Sequence, residues 1–581
     1  MRAWAGVLEL ITVMEADVSA LTKSGGSRET GRCRMPAATG VVVSMLVAMA
    51  PSSAYADVEI NPFVSLRQVV ADGTQREGRG WLEAGAGFAA LLDTNRVSGN
   101  VSYRYSRRIP EFGDIRTRNR HNANANVRAE LIDDFLLLNA GGSASQYATD
   151  ARGFNAINPD DESSNQTQIF SGYVEPSVQQ RFGDFATFQG RYRLGAVSAD
   201  SPREGLVGPG SIGLDPSDGI GSRLTDSITQ TASLSLASTR ATNTINWSLN
   251  AQGTHEDVDQ LNQKYRGYSA GGEIGFRVSR KLELLGSGGY EDIENTQDSI
   301  LFDPVTGLPD LDDDGHFQID PTMPRRTAYD FSGAYWNAGF RYTPSRRTSF
   351  EFRAGERYGS ANFFLDFNHR SRNGMSVRAN FQQTLNSFSR LLTLYENGVP
   401  IGMTRVGGMD RLGVPLCAFG IDPEGDDESC LFGLTQSLTP ATFKSDRGLL
   451  TISRKLEALS WSATAFYDKR RYVDSQQLQA PTEVELPDSV FGDDETFGVR
   501  GRVVLRLGDL QSLGFDALLA RNSYALSSGR KDTQFTIGTQ YSRKLSRNLS
   551  GNASLYGTHR ISNSREDSSS VTASVGVRYN F

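Results

Sequence analysis

Residues 571–581 (VTASVGVRYNF) alternate so strictly that they constrain the chain more than any other segment. Val571, Ala573, Val575, Val577, Tyr579 and Phe581 fall on one face of an extended strand. Thr572, Ser574, Gly576, Arg578 and Asn580 fall on the other. A period of two means a strand with one apolar and one polar side.

The same grammar recurs throughout. His121 to Leu131 sets Ala123, Ala125, Val127, Ala129 and Leu131 against Asn122, Asn124, Asn126, Arg128 and Glu130. Val97 to Tyr105, Thr244 to Ala251, Leu459 to Ala465 and Phe497 to Leu507 behave alike. Strands of soluble sandwiches average about five or six residues. Many segments here run longer, to the roughly ten residues that a tilted strand needs to cross a bilayer.

The connections alternate as well. Short turns share a wording: Ser279-Arg280-Lys281-Leu282, Ser345-Arg346-Arg347, Ser371-Arg372-Asn373-Gly374, Ser453-Arg454-Lys455-Leu456 and Ser542-Arg543-Lys544-Leu545. Long polar loops lie at about 199–223, 293–327, 387–441 and 474–492. Counted back from Phe581, every Ser-Arg turn falls on one side and every long loop on the other. Short periplasmic turns and long external loops are the outer-membrane arrangement. The expectation is an all-β fold: one antiparallel, up-and-down transmembrane β-barrel spanning 57–581, with about 18–22 strands and both ends in the periplasm. The segments within 348–370 are the weakest. Trp81, Trp247, Trp336 and Trp461 are candidates for interfacial girdles.

The front end reads as an export signal. Arg32 and Arg34 precede an apolar run, Pro36 to Ala50, too short to span a membrane as a helix. Ala54-Tyr55-Ala56 offers a cleavage site before Asp57, and translation starting after Met1 would explain the residues upstream of Met35. No later apolar run reaches spanning length, which excludes a helical inner-membrane protein. A barrel explains the otherwise polar composition, since every second residue touches lipid. The net charge of −7 combines acids crowded in loops with arginines crowded in strands, and gives a nucleic-acid partner no support. Of three cysteines, Cys33 lies in the signal region. Cys417 and Cys430 share one loop and can close a disulfide ring worth roughly 3 kcal/mol on the chain-entropy account. No histidine or further cysteine sits near them to make a zinc site.

Arg104, Arg128, Arg191, Arg193, Arg341, Arg353, Arg500, Arg502, Arg506 and Arg578 share phase with Ser, Asn or Gly rather than with the apolar set. A charge facing lipid at mid-depth costs about 2–4 kcal/mol, so these side chains are expected to line the lumen. There they either pair with inward acids such as Glu130 and Glu351, or form a basic lining for an anionic or polysaccharide ligand. Arg500, Arg502 and Arg506 are the foremost candidates for such a lining. Asp310, Asp312 and Asp314, with Asp320 beyond, stand at calcium-loop spacing around Gly315. The twelfth position is Pro321 instead of a bidentate Glu, so a solvated acidic loop competes with a Ca2+ site bridging to lipopolysaccharide. No other cofactor is implied. His121, His255, His316, His369 and His559 are scattered, and no catalytic set emerges.

An aromatic last residue, Phe581, with Tyr579 in phase, resembles the terminal strand that outer-membrane barrels present to the barrel-assembly machinery. Residues 57–73 (DVEINPFVSLRQVVADG), 101–114 (VSYRYSRRIPEFGD) and 129–146 (AELIDDFLLLNAGGSASQ) resemble outer-membrane barrel proteins associated with PEP-CTERM and exopolysaccharide systems. Proteins of that group often carry the label preprotein translocase subunit YajC. A true YajC has a single membrane helix, which this chain lacks after cleavage. The resemblance implies a porin-like pore or envelope component of a Gram-negative outer membrane, contacting lipid and lipopolysaccharide and serving polysaccharide export. It supplies no catalytic residues. A structural or adhesive barrel with a filled lumen is the alternative. A lipid-modifying enzyme would need a Ser and a His converging on adjacent strands. A TonB-dependent receptor would need a plug domain, for which Asp57 and Val58 leave no room. Whether 387–441 folds inward decides between an open and a closed lumen.

Overall fold

Beyond residue 56 the computed structural model describes the chain except at 75, 114, 116, 149–165, 201–225, 240–243, 300, 302–309, 311–317, 388, 391–394, 397–398, 401–441, 473–492, 525–529 and 564–565. Ala54, Ala56, Asp312, Asp314, Cys417 and Cys430 therefore lie outside the described residues.

Long alternating segments become strands here. The first eleven are β1 (Asp57–Gly73), β2 (Arg76–Asp93), β3 (Val97–Phe112), β4 (Arg118–Ile132), β5 (Leu136–Ala148), β6 (Gln166–Phe182), β7 (Ala186–Asp200), β8 (Ser227–Ser238), β9 (Ile245–Val258), β10 (Gln263–Arg277) and β11 (Leu282–Gln297). The remainder are β12 (Arg326–Ser345), β13 (Thr348–Arg357), β14 (Ser360–Arg370), β15 (Met375–Asn386), β16 (Phe443–Lys455), β17 (Leu459–Tyr472), β18 (Asp494–Arg506), β19 (Gln511–Tyr524), β20 (Arg530–Lys544), β21 (Leu549–Ser562) and β22 (Ser568–Asn580). Each pairs antiparallel with the next to form one 22-stranded sheet. β22 closes it on β1, from Phe63↔Asn580 to Gly73↔Ser570. Closure leaves no strand edge, which a hydrocarbon environment requires of any spanning sheet.

Register sorts the two faces. On β1, Val58, Ile60, Val64, Leu66 and Val70 are exposed while Phe63, Arg67, Val69 and Ala71 are buried. On β22, Val571, Val575, Val577 and Tyr579 are exposed and Thr572 and Ser574 are buried. The exposed set continues round the wall through Leu249, Ile274, Leu284, Leu519 and Ile537. Water would not tolerate an apolar band of that extent. Lipid makes it the stable surface, and the protein is an integral β-barrel of the Gram-negative outer membrane.

The parity of the connections holds. Turns at 93–97, 132–136, 182–186, 277–282, 345–348, 370–375, 455–459, 506–511 and 544–549 lie at one end; the long connections 148–166, 200–227, 297–326, 386–443 and 472–494 lie at the other. Serine recurs in the short turns because its hydroxyl accepts backbone N–H groups that a tight reversal leaves unpaired. Ser279 Oγ accepts from Lys281 and Leu282 (3.2 and 3.1 Å), and Ser546 Oγ from Asn548 and Leu549 (3.3 and 3.1 Å). Two of the expected turn sequences belong instead mostly to strands: Ser453-Arg454-Lys455 closes β16 and Ser542-Arg543-Lys544 closes β20, with the reversals beginning at Leu456 and Leu545.

The segment 348–370 makes two short strands, not one. Tyr358 (φ 55°) and Gly359 (φ 67°) form a two-residue reversal of the left-handed kind that suits strand twist. β12 pairs with β13 only from Trp336 onward, so β12 rises past this hairpin at the long-loop end. Among the tryptophans, Trp336 faces outward and Trp247 packs against Phe185 at 5.6 Å. Trp81 departs from the girdle expectation. It points inward and is fully buried with Val69, Ala71 and Ile115, because the register places it in phase with Glu83 and Arg67.

Candidate functional site

The inner wall is polar by construction, since every inward position alternates with a lipid-facing one. Hydroxyl pairs run across it: Ser143–Ser171 (2.8 Å), Thr451–Thr464 (3.2 Å), Ser512–Ser542 (2.8 Å), Thr536–Thr558 (3.3 Å) and Ser554–Ser574 (2.8 Å). Cross-strand neighbours on one face lie close enough for such bonds.

All ten sequence-derived arginines fall on this inner face by register. On β10–β13 they are neutralised in a chain: Arg341 reaches Glu283 (3.0 Å) and Glu351 (2.8 Å), and Arg353 reaches Glu351 (2.7 Å) and Glu273 (2.6 Å). Arg193 pairs with Glu175 (2.7 Å) and lies 4.6 Å over the Tyr173 ring. Arg578 stacks 3.7 Å over Phe63. Arg500 bonds Asp516 (3.0 Å), and Arg502 stands directly across from the same carboxylate. That foremost run is therefore partly neutralised by an aspartate on the neighbouring strand β19, a cross-strand partner that the sequence of β18 does not show. Arg128, Arg191 and Arg506 are exposed, and no carboxylate among the described residues reaches them. Glu130 does not serve them: its Oε1 accepts the Asp134 amide (2.7 Å) and so caps the β4–β5 turn.

The densest basic arc includes arginines that the alternation pattern does not assign to a face. On β22 and β1–β4, Arg67, Arg79, Arg108, Arg118 and Arg120 share the inner face with Arg104, Arg128 and Arg578. Among the described residues, Glu83 is a carboxylate that two of them share. Arg67 reaches it at 2.6 Å and Arg104 at 3.2 Å.

At the long-loop end the chain crosses the interior. Ser387, just past β15, donates to both oxygens of Glu256 on β9 (2.7 and 2.8 Å). Arg390 Nε sits 3.2 Å from Glu256 and its guanidinium lies 3.8 Å over the Tyr265 ring of β10. Five strands separate β9 from β15 along the wall of the 22-strand ring, so this contact cuts across part of the lumen. On the return path, Thr442 accepts from Asn295 of β11 (3.3 Å). The β13–β14 reversal leans in beside it: Glu291 of β11 holds Arg357 (3.0 Å) and the Tyr358 amide (2.9 Å), and Lys444 reaches Ser360. Both described roots of the 387–441 segment are thus turned inward.

In the acidic loop, Asp310 takes part in backbone pairing with Leu301 and Gln318. The Asp320 carboxylate accepts from Thr322 Oγ1 (2.6 Å) and Thr322 N (2.8 Å), and these bonds hold it below the usual carboxylate range. No cluster of three metal-ligating side chains occurs among the described residues. His559 Nδ1 lies 2.9 Å from Ser569 Oγ across β21–β22, outside the barrel. Among the described residues no third group hydrogen-bonds that histidine. Tyr579 and Phe581 meet edge to face at 5.1 Å on the outer surface.

The chain is similar in structure to the siderophore receptor PiuA from Acinetobacter baumannii (10% identity, TM-score 0.46, covering 89% of this chain and 82% of that one). It is likewise similar to the copper transporter OprC (11%, 0.46, 91% and 82%) and to the FrpB iron transporter from Neisseria meningitidis, F5-1 variant (10%, 0.40, 90% and 82%). No family model and no curated protein matches the sequence.

Proposed function

We propose that the barrel is an outer-membrane conduit for anionic, hydroxyl-rich solutes, an acidic extracellular polysaccharide being one substrate that such a wall suits. The observation that carries this reading is the excess of inward arginines over carboxylates on β22 and β1–β4. Arginine forks bind oxyanions in two-point fashion, and a lumen lined by one sign of charge concentrates the opposite ion. The cross-strand serine and threonine pairs supply further hydrogen-bonding partners for sugar hydroxyls. The association with exopolysaccharide systems rests on the sequence resemblance.

A second reading, a structural barrel with an occupied lumen, is favoured by the inward roots at Ser387–Arg390 and Thr442. Liposome swelling separates the two. Vesicles carrying the protein should swell faster in isotonic glucuronate than in isotonic glucosamine. Equal rates, or none above protein-free vesicles, would favour the occupied barrel.

A further inference from the structure

Arg191 and Arg193 are consecutive inward residues of β7, and they are used differently. Arg193 is held by Glu175 (2.7 Å) and lies over the Tyr173 ring (4.6 Å). Arg191 stands directly opposite Ser177 of β6 and Ser233 of β8. It is exposed and makes no ion pair or hydrogen bond among the described residues. Tyr192 and Leu194 take the lipid face of the same strand. Glu175 is diagonal to Arg191 across β6–β7, but its carboxylate already serves Arg193. The Arg191 guanidinium therefore presents all of its donors to the lumen.

What surrounds it is amide and hydroxyl. Gln189 lies one inward step away on β7, and its side chain has no hydrogen-bond partner among the described residues. Ser233 stands opposite Gln252 of β9. Ser235, opposite Gln189, donates to Asn250 Oδ1 (2.8 Å). Directly opposed side chains begin about 4.5–5.5 Å apart and diagonal ones about 7–8 Å, so a solute of sugar size can touch both rows. The arc is also open. Along the inner face of β9, Thr254 and Glu256 are 8% and 1% exposed where the Ser387–Arg390 crossing lands, whereas Gln252 and Asn250 below it are exposed. Arg191 thus lies on the short-turn side of that crossing, where the inner wall is accessible.

We infer that Arg191, with Gln189, Ser233, Asn250 and Gln252, forms a lumenal binding site for a hydroxylated monocarboxylate of the sugar-acid type. One unopposed guanidinium balances one negative charge, and its fork meets a planar carboxylate at two points. Each amide offers both donors and an acceptor, and the Ser233 hydroxyl offers both as well, which is what ring hydroxyls require of their partners. A bare carboxylate would use the arginine alone, and an uncharged sugar only the amides. This inference rests on the conduit reading, because an aqueous path must deliver the ligand, and it names the class of solute that this arc of the wall takes.

The test is a saturation-transfer NMR titration of the full-length protein, refolded in detergent, with glucuronate, glucose and acetate. Glucuronate is expected to bind saturably and more tightly than either glucose or acetate. Arg191→Gln should weaken glucuronate at least tenfold, about 1.4 kcal/mol, and leave glucose unchanged. Gln189→Leu should weaken glucuronate about threefold and leave acetate unchanged. Neither change removes an internal bond among the described residues, so both variants should fold. Arg378→Gln, which removes an exposed inward arginine of β15 opposite Thr451, should bind glucuronate as the wild type does. Absent saturable binding, equal affinity for acetate, or Arg191→Gln binding as tightly as the wild type overturns the site. So does Arg378→Gln weakening glucuronate as much as Arg191→Gln, since diffuse lumen charge would then suffice. Faster permeation of glucuronate than of glucosamine without saturable binding would overturn the site alone, whereas saturable binding without permeation would overturn the conduit alone.

Discussion

The contact that carries the chain across the lumen invites a direct perturbation. Glu256 and Arg390 are 2% and 7% exposed in their side chains, 3.2 Å apart, and Ser387 adds two hydrogen bonds to the same carboxylate. Arg390→Ala leaves Glu256 buried without its cation. Breaking one side of a buried pair typically costs about 3–5 kcal/mol, because the remaining charge is uncompensated. The 22-strand closure is untouched, so the loss falls on the local opening of residues 387–390 and 442. At about 1.4 kcal/mol per factor of ten, 3 kcal/mol raises the open population roughly 150-fold. Amide hydrogen exchange at Ser389, Arg390 and Thr442 reads that population. The double variant Glu256→Gln/Arg390→Met removes both charges and keeps an acceptor for Ser387. It should lose about 1 kcal/mol or less, since the desolvation cost disappears with the pair. Exchange in Arg390→Ala within threefold of wild type would refute the crossing anchor. So would a double variant as open as the single one.

Other consequences follow from the same structure. Val575→Arg places a charge on the lipid face in the middle of β22 and should cost about 2–4 kcal/mol, read from urea unfolding in phospholipid vesicles; a neutral result would mean that this face does not meet lipid. Gly141 lies against the Tyr173 ring that supports Arg193, so Gly141→Val should cost about 1–3 kcal/mol by overpacking in the same assay. The Asp320 carboxyl is held low by Thr322, so its contribution is present above the ordinary carboxylate range and is lost as pH falls through its lowered value. Thr322→Val should move that loss to higher pH, as followed by a carbon-detected titration of labelled aspartate, and an unchanged midpoint would contradict the assignment.

Much of the wall was legible in the sequence because lipid imposes a period of two on every strand. Val571–Phe581 and His121–Leu131 show their faces without any tertiary information. The phase fails where both faces are apolar. Phe63 and Val69 point in while Val64, Leu66 and Val70 point out, so Arg67 between them carried no visible side. The doublet Arg107-Arg108 put one arginine on each face, and Arg118 and Arg120 precede the first apolar alternation of β4. Trp81 misled for a related reason: an aromatic on a strand suits a girdle or an interior equally well until register is known. The Glu256–Arg390 contact was beyond reach, since no local pattern links β9 to a residue past β15.

The most direct test of the central claim is the reversal potential of the full-length protein in a planar bilayer under a tenfold potassium chloride gradient. An arginine-dominated lumen predicts a potential shifted toward that of chloride, and a shift that shrinks in Arg104→Gln/Arg120→Gln. A reversal potential on the potassium side, or the absence of current in both the wild type and Arg390→Ala, would contradict it.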